Sequence, residues 1–276
     1  MKKILPIALM LVCSQGYAQN LLPAGSPSQT ILQEFGVGKV EINYSRPSAN
    51  GRKIFGNLIP YNTMWRTGAN SNTTIRFPHA VMIDGKKLDS GVYSIYTIPA
   101  LDHWQVVLNK STKNWGTTGY SDSLDVLRIN VVPNRTKFYT EMLTFQFENV
   151  KPQSCELVLY WEKTRVSIPI TTNISASIKA NLDKASAAGK NINWPAAQYY
   201  FEYEKDNKKA LQYAINATTD NPTAYWIWHY KAKIEAALGK NKDALASSNK
   251  SIELAKEAGN KDYLRLNEEL QRKIRN

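Results

Sequence analysis

The chain has few of the residues on which enzymes most often rely. Only two of its 276 residues are cysteine and three are histidine. His79, His103 and His229 lie far apart, and none has a second histidine at the spacing of a metal site. The Gly-x-Ser-x-Gly elbow of hydrolases and the glycine patterns of nucleotide-binding loops are also absent. The sequence therefore indicates no catalytic residue, no metal ligand and no cofactor.

Long apolar runs are absent after the N-terminus, so no transmembrane segment is predicted in the rest of the chain. The first residues have the three parts of a secretory signal peptide. These are the basic pair Lys2 and Lys3, an apolar stretch over 4–12, and a small-x-small site that ends at Ala18. We expect residues 1–18 to be removed and the product to be exported, either to the periplasm or out of the cell.

The predicted cleavage separates the two cysteines. Cys13 lies in the signal peptide, and a lipid anchor on it is disfavoured because Val12 is bulkier than the residue that such sites normally carry. Cys155 is then left alone, so the mature chain has no internal disulfide. Since Cys155 begins an apolar run, we expect a small buried side chain rather than a reactive thiol.

Acidic residues are missing from one stretch of a basic chain. Lys and Arg number 35 against 23 Asp and Glu, and the net charge is +12. The excess is spread over both halves, which argues against a basic arm that binds nucleic acid. No acid occurs between Glu41 and Asp84, whereas five basic residues do: Arg46, Arg52, Lys53, Arg66 and Arg76.

The acid-free stretch contains the candidate site, the segment 44–74. Its many Gly, Pro and Asn residues predict irregular structure, yet its large apolar side chains predict a packed loop rather than disorder. The planar donors of arginine suit carboxylate, phosphate or sulfate groups. The candidate ligand-binding residues are Arg46, Arg52, Trp65, Arg66 and Asn70.

Other interpretations of these residues stay open. Each arginine could pair with an acid from another strand, such as Asp125 or Glu141, or could cap loop carbonyls. Trp65, Tyr93 and Trp104 could form an aromatic platform for a sugar. Aromatic side chains at alternating strand positions are, however, more often part of a core, and we favour that interpretation.

Short alternating runs fill residues 29–171. Val40, Ile42 and Tyr44 alternate with polar residues, as in a strand with one buried face, and Asp84-Gly85 predicts a tight turn. Further strands are predicted over 73–77, 80–83, 91–98, 104–109, 126–132, 138–147, 155–161 and 166–170. No helical pattern intervenes, so residues 19–172 are predicted to form an antiparallel β-sandwich or jelly-roll-like domain.

After residue 172 the periodicity becomes helical. Trp194 and Trp228 are 34 residues apart, and so are Ala210 and Ala244, as in tetratricopeptide repeats. We predict an α-helical domain over 173–276. It contains two such repeats, at about 191–224 and 225–258, with flanking helices over 174–188 and 261–274. Because two repeats are fewer than a free-standing array needs, we expect this domain to dock on the β domain.

Several motifs of the β region resemble an uncharacterised family of exported bacterial domains. They are Tyr44-Ser-Arg-Pro, Gly51-Arg-x-Ile-Phe-Gly, Trp65-Arg-Thr-Gly-Ala-Asn, Gly91-x-Tyr-x-x-x-x-Ile-Pro and Trp104-x-Val-x-Leu-Asn. The family is known only as domain of unknown function 2911, and the similarity covers about residues 24–170. The resemblance implies a shared fold and location, with a helical repeat tail in some members. It implies no activity, substrate or catalytic residue.

Two functions of different classes fit these features. The favoured hypothesis is an exported, non-catalytic binding or assembly protein. Its loop 44–74 would hold an anionic or carbohydrate ligand, and its helical repeats would engage a protein partner. The alternative is an exported hydrolase that acts on an envelope or polysaccharide substrate, with carboxylates drawn from Asp125, Glu141 and Glu162. A purely structural role for the loop is the third hypothesis.

Overall fold

A computed structural model describes residues 22–276, which form ten β-strands followed by six α-helices. The predicted signal peptide, 1–18, lies outside the described residues. The strands are β1 (Ser28–Phe35), β2 (Gly38–Ser45), β3 (Thr74–Phe77), β4 (Val81–Ile83), β5 (Lys86–Leu88), β6 (Gly91–Pro99), β7 (Trp104–Asn109), β8 (Asp125–Val131), β9 (Asn134–Lys151) and β10 (Ser154–Thr171). The mainly β and then α order predicted from the sequence is confirmed.

The strands form two antiparallel sheets that share one core. The six-stranded sheet has the order β1-β2-β3-β6-β7-β8, and the four-stranded sheet has the order β5-β4-β10-β9. The apolar residues that alternate along β2, such as Val40 and Ile42, are fully buried. They belong to the same cluster as Leu157 and Trp161 of the other sheet. The predicted sandwich therefore follows from the period-2 pattern, which supplies each sheet with one apolar face.

Three strand predictions needed correction. The runs 155–161 and 166–170 belong to one strand, β10, which pairs with β9 over most of its length. Register shifts around Glu162 interrupt the alternation in the sequence, so the two runs looked separate, but Glu162, Thr164 and Arg165 still pair with β9. The prediction also missed β1 and β5. In β1, an edge strand paired to β2, the inward side chains before Phe35 are only half-buried, and β5 has only three residues.

Six helices follow the sheets. They are α1 (Ser175–Ala187), α2 (Asn193–Glu202), α3 (Asn207–Asp220), α4 (Tyr225–Ala237), α5 (Asn241–Glu257) and α6 (Lys261–Arg275). The helices α2 with α3, and α4 with α5, pack as successive hairpins, and α1 and α6 flank them. Small residues such as Ala197, Ala210 and Ala214 are fully buried where neighbouring helices approach each other.

Within 22–276, no helix combines the length and the apolar character that a membrane span requires.

The expected docking of the helical region on the sheets is wrong. Among the described residues, extensive contacts join strand to strand or helix to helix, not strand to helix. The two parts meet where the chain passes between them. There the side chain of Ile174 is buried and lies near Gly36, in the turn between β1 and β2. The helices therefore satisfy their apolar faces among themselves.

Gly36 is required at that turn for two reasons. Its φ of +62° is in the left-handed region, and a Cβ there would lie 2.2 Å from His79 Nε2. The imidazole is held in place because the same nitrogen lies 3.1 Å from the carbonyl oxygen of Phe35. Gly85 in the turn between β4 and β5 has a similar φ of +71° but open space around it. Backbone strain is therefore expected on substitution of either glycine, whereas close packing affects only Gly36.

We expect Gly36→Ala to lower the free energy of unfolding by about 2–4 kcal/mol, because backbone strain adds to overpacking against His79. Gly85→Ala should lower it by about 1 kcal/mol, from backbone strain alone. Denaturant unfolding followed by tryptophan fluorescence measures both. Equal losses in the two variants would show that the contact with His79 does not constrain the turn.

A buried polar network joins α4, α5 and α6. Asn267 is fully buried, and its Oδ1 accepts hydrogen bonds from His229 Nδ1 (2.9 Å) and Ser248 Oγ (3.0 Å). Its Nδ2 donates to Ser251 Oγ at 2.8 Å. Burial lowers the pKa of His229; the bond to Asn267 opposes this shift, and nearby Lys233 adds to it. The neutral imidazole is therefore the form that the folded helices favour.

This pKa direction predicts acid sensitivity of the helical region. Stability contributed by neutral His229 is present above the ordinary histidine pKa of about 6.5 and is lost as pH falls through the lower folded value. His229→Gln keeps a donor for Asn267 but cannot titrate. Urea unfolding followed by helical circular dichroism at pH about 7.5 and 5.5 should show a smaller acid loss in this variant. His103→Gln, at an exposed position, should retain the wild-type loss; an unchanged pH dependence in His229→Gln would contradict the assignment.

Candidate functional site

The segment 44–74 packs against strands of both sheets. It connects β2 to β3 without helix or regular strand, as predicted. Ala49 N donates to the Glu141 carbonyl of β9 at 2.8 Å, and Trp65 exchanges two backbone hydrogen bonds with Thr97 of β6. Its buried side chains, Ala49, Ile54, Phe55 and Trp65, belong to the core cluster. We refer to this segment as the arginine loop.

Four aromatic rings hold the arginine loop in place. Phe55 lies with its ring centroid 4.7 Å from that of Trp104, 6.0 Å from Trp65 and 6.1 Å from Trp161. Trp65 and Trp161 stack at 5.8 Å. Trp65 and Tyr93 are 7% exposed and Trp104 is 1% exposed. The aromatic residues considered for a sugar platform are thus core residues, as the favoured interpretation had it.

One side of the arginine loop borders a cleft of about 440 Å³. The loop contributes Arg52, Trp65 and Arg66 to its lining, and Thr117 and Trp161 come from elsewhere. We call it the arginine cleft. Three of the five residues predicted from the sequence therefore come together around one recess, and two of these are cationic.

Arg66 is the least satisfied of the cleft residues. Its Nε is buried and has no hydrogen-bond partner within residues 22–276. Gly116, at φ +70°, lies against the guanidinium, and a Cβ at this position would be 2.7 Å from Arg66 Nη1. The absence of a side chain there leaves room for the planar group. A buried donor without a partner costs stability. The terminal nitrogens of the same guanidinium make no ion pair within residues 22–276, so they can donate to an acceptor in the cleft.

Arg52 is oriented by the loop itself. Its Nε donates to the Ala49 carbonyl at 2.9 Å, and its Nη2 donates to the Ser48 carbonyl at 2.7 Å. This is the carbonyl-capping role that the sequence left open. No acid within the described residues neutralises Arg52, so its charge remains at the edge of the cleft.

Arg46 and Asn70 do not line the arginine cleft. Arg46 donates from Nε to the Leu143 carbonyl (3.1 Å) and from Nη2 to Thr144 Oγ1 (2.8 Å), which ties the loop to β9. Asn70 adopts a left-handed φ of +59°, and its Nδ2 lies 3.2 Å from the Ser26 carbonyl. The three arginines therefore do not converge. The prediction missed this because spacing in sequence does not reveal which donors the backbone of a distant strand will occupy.

The acids proposed as arginine partners have other roles. Asp125 accepts hydrogen bonds from Asn109 Nδ2, Tyr120 OH and Arg128 Nε, each at 2.8 Å. Burial, and then this carboxylate, raise the pKa of Tyr120 to about 12. Glu141 accepts from the backbone N–H of Asn50 at 2.7 Å. Pairing of the loop arginines with Asp125 or Glu141 is therefore wrong.

Glu162 lies at a second cleft, of about 410 Å³, which also borders the loop. Lys53 and Tyr61 of the loop line it, together with Trp104, Arg135, Tyr139, Glu162 and Lys163. We call it the bulge cleft, after the irregularity in β9 described below. Arg135, Tyr139 and Lys163 were not singled out from the sequence, because they are distant from the loop and follow no motif.

The remaining reactive groups lie apart from both clefts. Cys155 is 3% exposed, as expected for a core residue, and burial raises the pKa of its thiol to about 12. His103 pairs with Asp102 at 2.8 Å in an exposed turn, and His79 contacts the backbone of β1. Within residues 22–276, no group of three His, Cys, Asp or Glu side chains is arranged to hold a metal ion.

Comparison with known proteins identifies the β region alone. The family model described as "Protein of unknown function (DUF2911)" matches residues 26–170, which is more than half of the chain. The match extends from just before β1 to the end of β10 and includes both clefts and the whole arginine loop. Neither the curated proteins nor the solved structures contain a match.

Proposed function

We propose a function for this chain from the premise that it belongs to the DUF2911 family, a family without an assigned activity. The proposed role is that of an exported, non-catalytic binding or assembly protein that holds an anionic ligand, or an acidic carbohydrate, in the arginine cleft. One observation carries the proposal: the guanidinium of Arg66 lines the cleft and makes no hydrogen bond or ion pair within the described part of the chain.

The charge of the arginine cleft supports an anion rather than a neutral ligand. Arg52 and Arg66 both line it, and no carboxylate is among its lining residues. The apolar walls from Trp65 and Trp161 lower the local polarity, which strengthens hydrogen bonds between guanidinium and oxyanion. The cleft volume suits a small ligand rather than a protein surface.

Export and partner binding complete the proposal. Export rests on the signal-peptide pattern of residues 1–18. The two helical hairpins follow the 34-residue spacing of tetratricopeptide repeats, which commonly present a surface to a protein partner. Trp226 on α4 is 42% exposed and offers an apolar contact.

Cross-linking of the full chain in envelope fractions tests the proposed partner surface. Cross-links to a partner should form on lysines of 175–275. Cross-links confined to the β region would count against a partner of the helices.

A hydrolase is the second candidate, because Glu162 lines a cleft and makes no ion pair within the described residues. Its neighbourhood differs from that of Asp125 and Glu141, whose oxygens are engaged by internal donors. A carboxylate that acts as acid or base must reach its substrate. If envelope polysaccharides yielded new reducing ends with the wild-type chain and none with Glu162→Gln, the non-catalytic role would be replaced by this one.

Titration calorimetry at low ionic strength with sulfate, galacturonate and galactose tests the arginine cleft. We expect sulfate and galacturonate to bind and galactose not to bind. Arg66→Gln should weaken anion binding about ten-fold or more, and Arg52→Gln should weaken it several-fold, because each removes a charge-assisted hydrogen bond. Arg66→Gln should fold normally, since no protein acceptor loses its donor.

Arg46→Gln is the matched control. This substitution removes the same charge from the same loop. Arg46, however, donates to Leu143 and Thr144 and does not line the cleft. We expect it to lower thermal stability and to leave anion affinity within about two-fold of wild type. Equal loss of affinity in all three variants would indicate a nonspecific effect of net charge and would contradict the proposed site.

A further inference from the structure

The hairpin of β9 and β10 contains a large bulge on the β9 side. Glu162 pairs with Thr140, and Thr164 pairs with Arg135. Between these two pairs β10 advances by two residues and β9 by five, so residues 136–139 of β9 have no partner in β10. Bulges re-aim side chains and are frequent beside functional sites. This one projects Tyr139 toward the bulge cleft, in which its side chain forms part of the lining.

The backbone opposite the bulge is also unusual. Glu162 has a φ of +50°, a left-handed conformation that residues other than glycine and asparagine seldom adopt. Neighbouring Lys163 consequently lines the same cleft, instead of pointing to the opposite face as the next residue of a regular strand would. The irregular hairpin thus brings a carboxylate and a cation to one recess.

Three cations and one carboxylate surround the bulge cleft. Lys53 comes from the arginine loop, Arg135 from β9 and Lys163 from β10, and all three side chains are exposed. None of them forms an ion pair within residues 22–276. Positive charge from three separate segments therefore faces a single recess with only Glu162 to offset it. Such an arrangement favours an anionic ligand.

Aromatic surface distinguishes this cleft from a simple anion site. Tyr139 is 47% exposed, and half-buried Tyr61 also forms part of the lining. Exposed aromatic faces pack against the apolar faces of sugar rings, while the Glu162 carboxylate can accept hydrogen bonds from hydroxyl groups. An inorganic anion would use only the cations. An acidic saccharide would use all three kinds of group.

We infer that the bulge cleft is a second binding site, for an acidic saccharide, built from Lys53, Arg135, Tyr139, Glu162 and Lys163. The inference does not rest on the arginine cleft, because the two clefts share none of these residues. Both clefts border the arginine loop, which contributes Arg52 to one and the next residue, Lys53, to the other.

The test uses the full mature chain carrying Arg66→Gln, so that the arginine cleft contributes little. The probes are a galacturonate trisaccharide and its uncharged methyl ester, titrated at low ionic strength. We expect the acid form to bind at least about ten-fold more tightly than the ester. Arg135→Gln and Lys163→Gln should each weaken its binding about five-fold, the effect of one partly exposed charge contact.

Lys137→Gln is the control for charge. Lys137 lies on the same bulge and is exposed, but it does not line the cleft. It should leave the affinity within about two-fold of the parent. Tyr139→Ser should weaken the trisaccharide and its ester alike, because both lose the ring contact. Thermal unfolding of each variant shows whether the hairpin has kept its stability.

Three outcomes would overturn the inference. The first is equal affinity for the acid and the ester. The second is a Lys137→Gln effect as large as that of Arg135→Gln. The third is binding of polyphosphate as tight as that of the saccharide together with no effect of Tyr139→Ser, which would indicate a general polyanion surface.

Discussion

The packing of four aromatic rings between the two sheets is the contact on which the candidate sites depend. Phe55 and Trp65 come from the arginine loop, Trp104 from β7 of the six-stranded sheet and Trp161 from β10 of the four-stranded sheet. Burial of these rings offsets the entropy lost when an irregular segment is ordered. With the rings fixed, the cations that flank them in the sequence, Arg52, Lys53 and Arg66, are anchored as well, and each of them lines one of the two clefts.

Hydrogen bonding then decides which cations are available to a ligand. An irregular loop leaves backbone carbonyls that need donors, and arginine can supply several. Arg46 and Arg52 donate to carbonyls of β9 and of the loop, so part of their capacity is structural. Arg66 faces Gly116 and retains a buried donor without a partner in the described chain. Chemically identical side chains in one segment thus acquire different roles.

The helical region is stabilised by its own contacts. Small alanines permit close approach within each hairpin, and the buried carboxamide of Asn267 links α4, α5 and α6 through His229 and two serines. A buried polar network of this kind favours one arrangement of helices, because any other leaves a polar group unsatisfied. The described part of this region therefore packs on itself, without an extensive interface with the sheets.

The sequence by itself determined the order of a β region and an α region, most strand positions, the turn at Asp84-Gly85 and the packed character of the arginine loop. These features are local, because alternation, periodicity and turn chemistry are set by neighbouring residues. Only the tertiary structure decided that β10 is one strand and that Arg52 and Arg66 share a recess while Arg46 does not. It also placed Arg135, Tyr139 and Lys163 opposite Lys53. Those outcomes depend on strand register and on distant hydrogen-bond partners, for which the linear pattern carries no signal.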